Sequence, residues 1–173
     1  TIYNRNTFGI EHPTVGLLNI GTEETKGNDL VKESYQLLKE KAEELDINFV
    51  GNVEGRDAFS GKLDILIADG YTGNVFLKTV EGVGKLVKRT LSESIKKNIF
   101  TTIGAIPALP SINSLKKAMD YKEYGGALFL GVKRPVVKAH GSSDAKVFEF
   151  TIKQAEQFVK NKAVEKMIEK FEK

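Results

Sequence analysis

The sequence predicts an α/β fold, a mostly parallel sheet with helices on both faces. Two observations carry that prediction. Short apolar runs that read as buried strands alternate with longer amphipathic segments, the order that builds parallel sheets. Several of these runs stop at small or polar residues just before a helix. Such an edge leaves backbone N–H groups free at the helix N-terminus, where a phosphate can be held. Three edges have this form: Asn19-Ile20-Gly21-Thr22, Asp69-Gly70-Tyr71-Thr72-Gly73-Asn74 and Lys138-Ala139-His140-Gly141-Ser142-Ser143-Asp144.

Taken in order, the chain opens on a turn-rich leader containing Asn4, Asn6, Gly9 and Pro13, with His12 as a surface residue. Val15 to Ile20 is a short apolar run ending in Gly21 and reads as a buried strand. A helix is expected over about 28–45. Leu30, Val31, Tyr35, Leu38, Ala42 and Leu45 recur at steps of three and four, and Asn28 or Asp29 can cap it. Ile47 to Val50 is a second strand, Glu54 to Asp57 a charged turn, and Leu63 to Ala68 a third strand with Asp69 at its C-terminal end.

A long helix is expected over about 74–99, with Val75, Phe76, Val80, Val83, Leu86, Val87, Leu91, Ile95 and Ile99 on one face. Gly82 and Gly84 each weaken it by roughly 1 kcal/mol relative to alanine. A second helix, about 112–119, closes a protruding helical hairpin over about 85–122. Leu128 to Gly131 and Pro135 to Val137 read as two further strands. A last helix starts near Ser142 and passes Phe148, Ile152, Ala155 and Val159 toward Phe171.

Composition narrows the class. At 173 residues, with 40% hydrophobic and 28% charged residues, the chain suits one globular domain with a proper core. There is no cysteine, so disulfides, a thiol nucleophile and thiolate metal sites are excluded. No signal peptide and no apolar run of about 18 residues is visible, so a cytoplasmic protein is the default. The chain starts at Thr1 without an initiator methionine, and the expectation is that it is the C-terminal part of something longer.

Sites in parallel sheets lie at the C-terminal strand ends. Four polar sets are expected there: Asn19 with Thr22, Glu23 and Lys26; Asn52 with Glu54, Arg56 and Asp57; Asp69 with Thr72 and Asn74; and Lys138 with His140, Ser142 and Ser143. In a parallel sheet all four share one rim. The plain reading of any one set is an ordinary βα turn. Asp69 directly follows an apolar strand, so partial desolvation is expected to raise its pKa and suit it to a general base, the plain alternative being a helix cap. His140 is read either as an acid/base or phosphate ligand or as a hydrogen-bonded structural residue. No His and carboxylate set has metal-ligand spacing, and no Gly-x-Gly-x-x-Gly or P-loop run is present, so neither a metal nor a nucleotide cofactor is expected.

The segment 85–122 holds eight basic residues (Lys85, Lys88, Arg89, Lys96, Lys97, Lys116, Lys117 and Lys122) against Glu93 and Asp120. This segment therefore carries +6 and the rest of the chain −3, which together make the net charge of +3. Its tip, Ile103 to Pro110, is uncharged. A polar hairpin packed on its own protein is the plain reading, but Ile103, Ile106 and Leu109 with two prolines are poorly placed in water. Lysines flanking an apolar tip suit an anionic membrane surface, and they suit an acidic protein partner equally well. Nucleic acid is not expected, because interleaved aromatics and a binding motif are missing.

Five motifs then resemble one family in order: Val15 to Glu24 with Lys26-Gly27-Asn28, Phe49 to Asp57, Asp69 to Val75 with Leu77-Lys78-Thr79, Tyr124-Gly125-Gly126-Ala127, and Lys138 to Asp144. The chain resembles the PlsX family, the acyl-acyl carrier protein:phosphate acyltransferases of bacterial phospholipid synthesis. The resemblance implies a three-layer α/β/α fold of isocitrate/isopropylmalate dehydrogenase type, a homodimer, and peripheral membrane association. It also implies transfer of a fatty acyl group from acyl carrier protein to inorganic phosphate. Family members are about twice this length, so a site shared between two halves is expected to be incomplete in this chain alone. Ala68, Tyr71 and Leu128 depart from the family pattern.

The reaction so implied needs phosphate held by N–H groups and a cation, a base that keeps it dianionic, and donors for the oxyanion. The expected assignments are Lys26 as the phosphate cation, Asp69 as base or orienting group, and Asn74 and the N–H groups of Thr72 and Gly73 as oxyanion or phosphate donors. Asn19, Gly21 and Thr22 are expected to bind substrate. His140, Gly141, Ser142 and Ser143 are expected to complete the anion pocket. Lys96, Lys97, Ile103, Ile106, Leu109, Lys116 and Lys117 are expected to contact membrane or carrier protein. Two alternatives stand beside this reading: a phosphotransacetylase-like enzyme, and a non-catalytic fragment that binds membrane or a partner.

Overall fold

A computed structural model describes residues 1–118, 126–139, 141 and 143–171. The chain divides into two compact units. The first comprises 1–74, 129–136 and 155–173, and the second 75–128 and 137–154.

The first unit is built on a three-stranded parallel sheet. Its strands are β1 (Thr14–Asn19), β2 (Asn48–Glu54) and β3 (Ile65–Ile67), in the order β2-β1-β3. The central strand is covered on both faces. Val15, Leu17 and Leu18 are all buried, which is why the run reads as continuously apolar rather than alternating. A register shift in the β1–β2 pairing between Val15 and Gly16 brings Leu17 opposite Asn52 and Asn19 opposite Glu54. Asp64 is not inside the third strand. Its carboxylate accepts the Thr14 N–H at 2.8 Å and the Thr14 hydroxyl at 2.7 Å, tying the start of β1 to the approach to β3. Those bonds hold Asp64 below the usual carboxylate range.

Helix α1 (Ile2–Phe8) occupies the segment expected to be a turn-rich leader. The correction has a packing cause. Tyr3 lies 5.5 Å from Phe158, ring to ring, and Phe158 is 1% exposed. Burial of an aromatic face thus outweighs the turn preference of Asn4 and Asn6. Helix α2 (Asp29–Lys41) starts where the sequence places it, with the Asn28 side chain accepting the Val31 N–H at 3.0 Å. It stops short of Leu45, and the chain turns through Asp46 at φ 53°, where Arg5 forms an ion pair at 2.7 Å.

Helix α3 (Gly70–Ile95) begins four residues before the expected start, passes Gly82 and Gly84 unbroken, and ends before Ile99. Its portion from Val75 belongs to the second unit. The expected uncharged tip is itself helical. Asn98 and Thr101 cap each other reciprocally to open α4 (Ile99–Gly104). A 3-10 turn over Ile106–Ala108 follows, and then α5 (Leu109–Ala118). Pro110 sits in the first turn of α5, where its missing N–H has no intrahelical role.

Strands β4 (Ala127–Leu128) and β5 (Val137–Lys138) form an antiparallel pair in a sheet of their own. The strand before the fourth polar set is therefore not part of the parallel sheet, where it is expected, but one of this antiparallel pair. The single last helix is also two, α6 (Ala145–Lys160) and α7 (Ala163–Phe171), broken at Lys162 with φ 50°. No helix among the described residues is long and apolar enough to cross a membrane.

Candidate functional site

Because β1, β2 and β3 are parallel, their C-terminal ends share one rim. Three of the four expected polar sets meet there, all in the first unit.

The loop after β1 is the most organised part of this rim. Asn19 is buried, at 9% exposure. It turns inward instead of presenting its amide to a ligand: Nδ2 donates to the Lys26 carbonyl at 3.1 Å, and Oδ1 accepts the Ile20 N–H at 2.8 Å. Asn52, on the neighbouring strand, is 6% exposed, and its Nδ2 donates to the Glu23 carbonyl at 2.9 Å. Its Oδ1 is buried without a partner among the described residues, a cost of about 1–3 kcal/mol in an otherwise satisfied site. Two strands thus hold the loop by two of its carbonyls.

Two glycines make that loop possible. Gly27 adopts φ +91° beside Asn19, a conformation that strains any residue with a Cβ. Gly21 is buried, and a Cβ there would lie 2.6 Å from Glu23 Oε2 and 3.1 Å from Lys26 Cγ. The aliphatic stem of Lys26 therefore lies over Gly21. Among the described residues no carboxylate pairs with the Lys26 ammonium. Thr22 is exposed.

The loop is also tied sideways. Glu24 Oε1 accepts the Tyr35 hydroxyl at 3.0 Å and the Lys39 ammonium at 2.7 Å. Those two hydrogen bonds, Lys39 first, hold the Glu24 carboxyl below its ordinary range. Burial, followed by the bond to Glu24, pushes the Tyr35 hydroxyl up. By its spacing Tyr35 falls in the apolar stripe of a helix, and no motif gives Glu24 or Lys39 a role of its own. A tyrosine in such a stripe signals that its hydroxyl needs a partner, and that signal pointed here.

The rim at β3 is different. Asp69 is a helix cap: its Oδ1 accepts the N–H groups of Tyr71 and Thr72, each at 2.9 Å. The Thr72 hydroxyl also bonds to it, and these contacts, that hydroxyl first, hold the carboxyl below its ordinary range. The expected upward shift is corrected, because hydrogen bonding to the charged form outweighs the small desolvation. The expected donors are corrected with it. The Thr72 N–H is taken by Asp69 Oδ1, and the Gly73 N–H donates to the Asp69 carbonyl at 2.9 Å. Asn74 is exposed, one turn into α3. The β2 set is a charged turn, with Arg56 paired to Glu54 at 2.8 Å and to Asp57 at 3.6 Å.

Of the fourth set, His140 and Ser142 lie outside the described residues. Gly141 and Ser143 belong to the second unit. There Asp144 Oδ1 accepts the Val147 N–H at 3.0 Å at the start of α6, and Ser143 Oγ is buried without a partner among the described residues. In the basic segment, Ile103, Ile106 and Leu109 are 57%, 58% and 44% exposed. Lys96 and Lys97 follow the end of α3 and are exposed. Lys116 and Lys117 fall within α5, with their side chains outside the description, and Lys122 lies outside the described residues.

Comparison with known proteins agrees with the family resemblance. The family model for the fatty acid synthesis protein matches residues 1–166. A phosphate acyltransferase of Clostridium perfringens is 48% identical over 172 residues, 99% of this chain and 50% of that relative. One from Thermoanaerobacter pseudethanolicus is 44% identical over 171 residues, again 99% of this chain and 50% of the relative. One from a Geobacillus species is 46% identical over 160 residues, 92% and 47% respectively. The chain spans about half the length of the curated relatives it matches. With the model covering nearly the whole chain, this protein belongs to the fatty acid synthesis protein family, which is the PlsX family that its five motifs resemble.

Proposed function

We propose that this chain supplies one half of a phosphate acyltransferase that moves a fatty acyl group from acyl carrier protein to inorganic phosphate, for phospholipid synthesis. The observation that carries the reading is the loop after β1. The stem of Lys26 lies over a buried glycine, on a loop held from β1 and β2, and its ammonium has no carboxylate partner among the described residues. A phosphate oxygen placed by Lys26 attacks the thioester carbonyl. The tetrahedral oxyanion then collapses with loss of the carrier thiolate, and acyl phosphate is the product. Binding by a fixed cation favours the dianion and lowers the entropic cost of bringing the reactants together. Asp69 fits the orienting role rather than that of the base, because its low pKa leaves it a weak proton acceptor near neutrality.

The same reading takes the fold as half of an isocitrate/isopropylmalate dehydrogenase-like three-layer domain with a helical hairpin over about 85–122, and the protein as a homodimer. It places the protein in the cytoplasm, peripherally on the membrane. The exposed apolar residues Ile103, Ile106 and Leu109 support contact with an anionic bilayer. The flanking lysines also suit the acidic surface of a carrier protein.

The test is a side-by-side assay of the full-length protein with inorganic phosphate and either long-chain acyl carrier protein or acetyl-CoA, trapping acyl phosphate as hydroxamate. Product from the carrier-bound acyl group alone supports the proposal. Product from acetyl-CoA alone replaces it with a short-chain phosphotransacylase.

A further inference from the structure

We propose that Tyr35 is a positioning residue for Lys26, acting through Glu24; the inference rests on the reading of the β1 loop as the phosphate site. Tyr35 stands on α2, outside the loop, and is 8% exposed. Its ring packs edge-on against Phe49 of β2 with centroids 5.5 Å apart, so the hydroxyl has a fixed origin. That hydroxyl reaches Glu24 Oε1 at 3.0 Å, and Lys39, four residues along the same helix, reaches the same oxygen at 2.7 Å. Lys39 also lies over the Tyr35 ring, 5.9 Å from its centroid. The carboxylate is therefore gripped by two donors from one helix.

Glu24 lies between the two carbonyls held from below, those of Glu23 and Lys26. The Lys26 N–H closes the turn by donating to the Glu23 carbonyl at 3.1 Å. The loop is thus fixed from β1, β2 and α2 within four residues, and the Lys26 stem folds back from that fixed point over Gly21. An exposed loop is ordinarily among the mobile parts of a domain. Holding one at three points places the ammonium where a ligand meets it without further ordering, and small displacements of such a group are costly to catalysis. Asn19 and Asn52 are buried, so changing them disturbs the core. Tyr35 can lose its hydroxyl and keep its ring, which makes it the residue where positioning separates from folding.

The experiment is a double-mutant cycle in the full-length protein with Tyr35→Phe, Lys26→Ala and the pair, reading KM for phosphate, KM for the acyl carrier substrate, kcat and the melting temperature. Tyr35→Phe is expected to raise the phosphate KM about three- to tenfold, the fold-change equivalent of one ordinary intramolecular hydrogen bond. The acyl-carrier KM should stay within about twofold, and the melting temperature should hold. In the Lys26→Ala background the same change should add less than about twofold, because the group being positioned is gone. Glu24→Ala, at an exposed position, should reproduce the phosphate-specific shift without touching the core. Equal effects of Tyr35→Phe in both backgrounds, or equal shifts in the two KM values, overturn the positioning role. A Lys26→Ala protein with unchanged phosphate KM overturns the underlying reading of the loop instead.

Discussion

The side-chain amide of Asn19 donates to the carbonyl of Lys26 at 3.1 Å, joining the last residue of the central strand to the residue that ends the loop seven positions later. The bond converts a chain reversal into a fixed platform. Replacing Asn19 by aspartate sets a carboxylate oxygen against the Lys26 carbonyl where a donor stood. We expect Asn19→Asp to lower stability by about 1–3 kcal/mol, read from urea unfolding of the full-length protein. An unchanged midpoint contradicts the role assigned to this bond.

Asp69 makes a prediction about pH with a definite sign. Its folded-state pKa lies below the ordinary value because Thr72 and Tyr71 donate to the carboxylate. A group of this kind contributes stability above its unfolded pKa, and the contribution is lost as pH falls through the folded value. The melting-temperature gap between wild type and Asp69→Ala should be constant from pH 5 to 8 and shrink below about pH 4. A gap that instead changes between pH 5 and 7 indicates the raised pKa that the sequence alone suggested.

Lys162 holds φ 50° at the break between α6 and α7. A residue with a Cβ is strained there and glycine is not. Lys162→Gly should therefore be neutral or stabilise by up to about 1 kcal/mol, against the usual cost of glycine near a helix. Thermal unfolding of the two proteins checks the sign.

For the exposed tip, Ile106→Asp together with Leu109→Asp should abolish flotation with vesicles of phosphatidylglycerol and phosphatidylethanolamine. Flotation that survives both changes removes the membrane contact, and retention of carrier-protein binding then locates the role of the lysines.

The parts of the fold governed by local pattern were legible in sequence. The β1 run, the Asn28 cap and the start of α2 lie where apolar spacing and capping chemistry put them. The misses have different causes. Helix α1 forms because Tyr3 meets Phe158, which is 155 residues away and invisible to a local window. The last helix breaks at Lys162, where no glycine or proline announces a stop. At the rim, residue types pointed to loops that meet at the strand ends but not to which polar atoms stay free. Asp69 consumes the N–H groups expected to bind an anion, and Asn19 spends its amide on the loop backbone. The tie between Glu24 and Tyr35 spans eleven positions with no spacing rule to reveal it.

The most direct measurement is acyl phosphate formation by the full-length protein as a function of phosphate concentration, wild type against Lys26→Ala. The account predicts a phosphate KM at least about tenfold higher in the variant, the size expected for loss of a charged contact, with the acyl-carrier KM little changed. Phosphate saturation within threefold of wild type would contradict it.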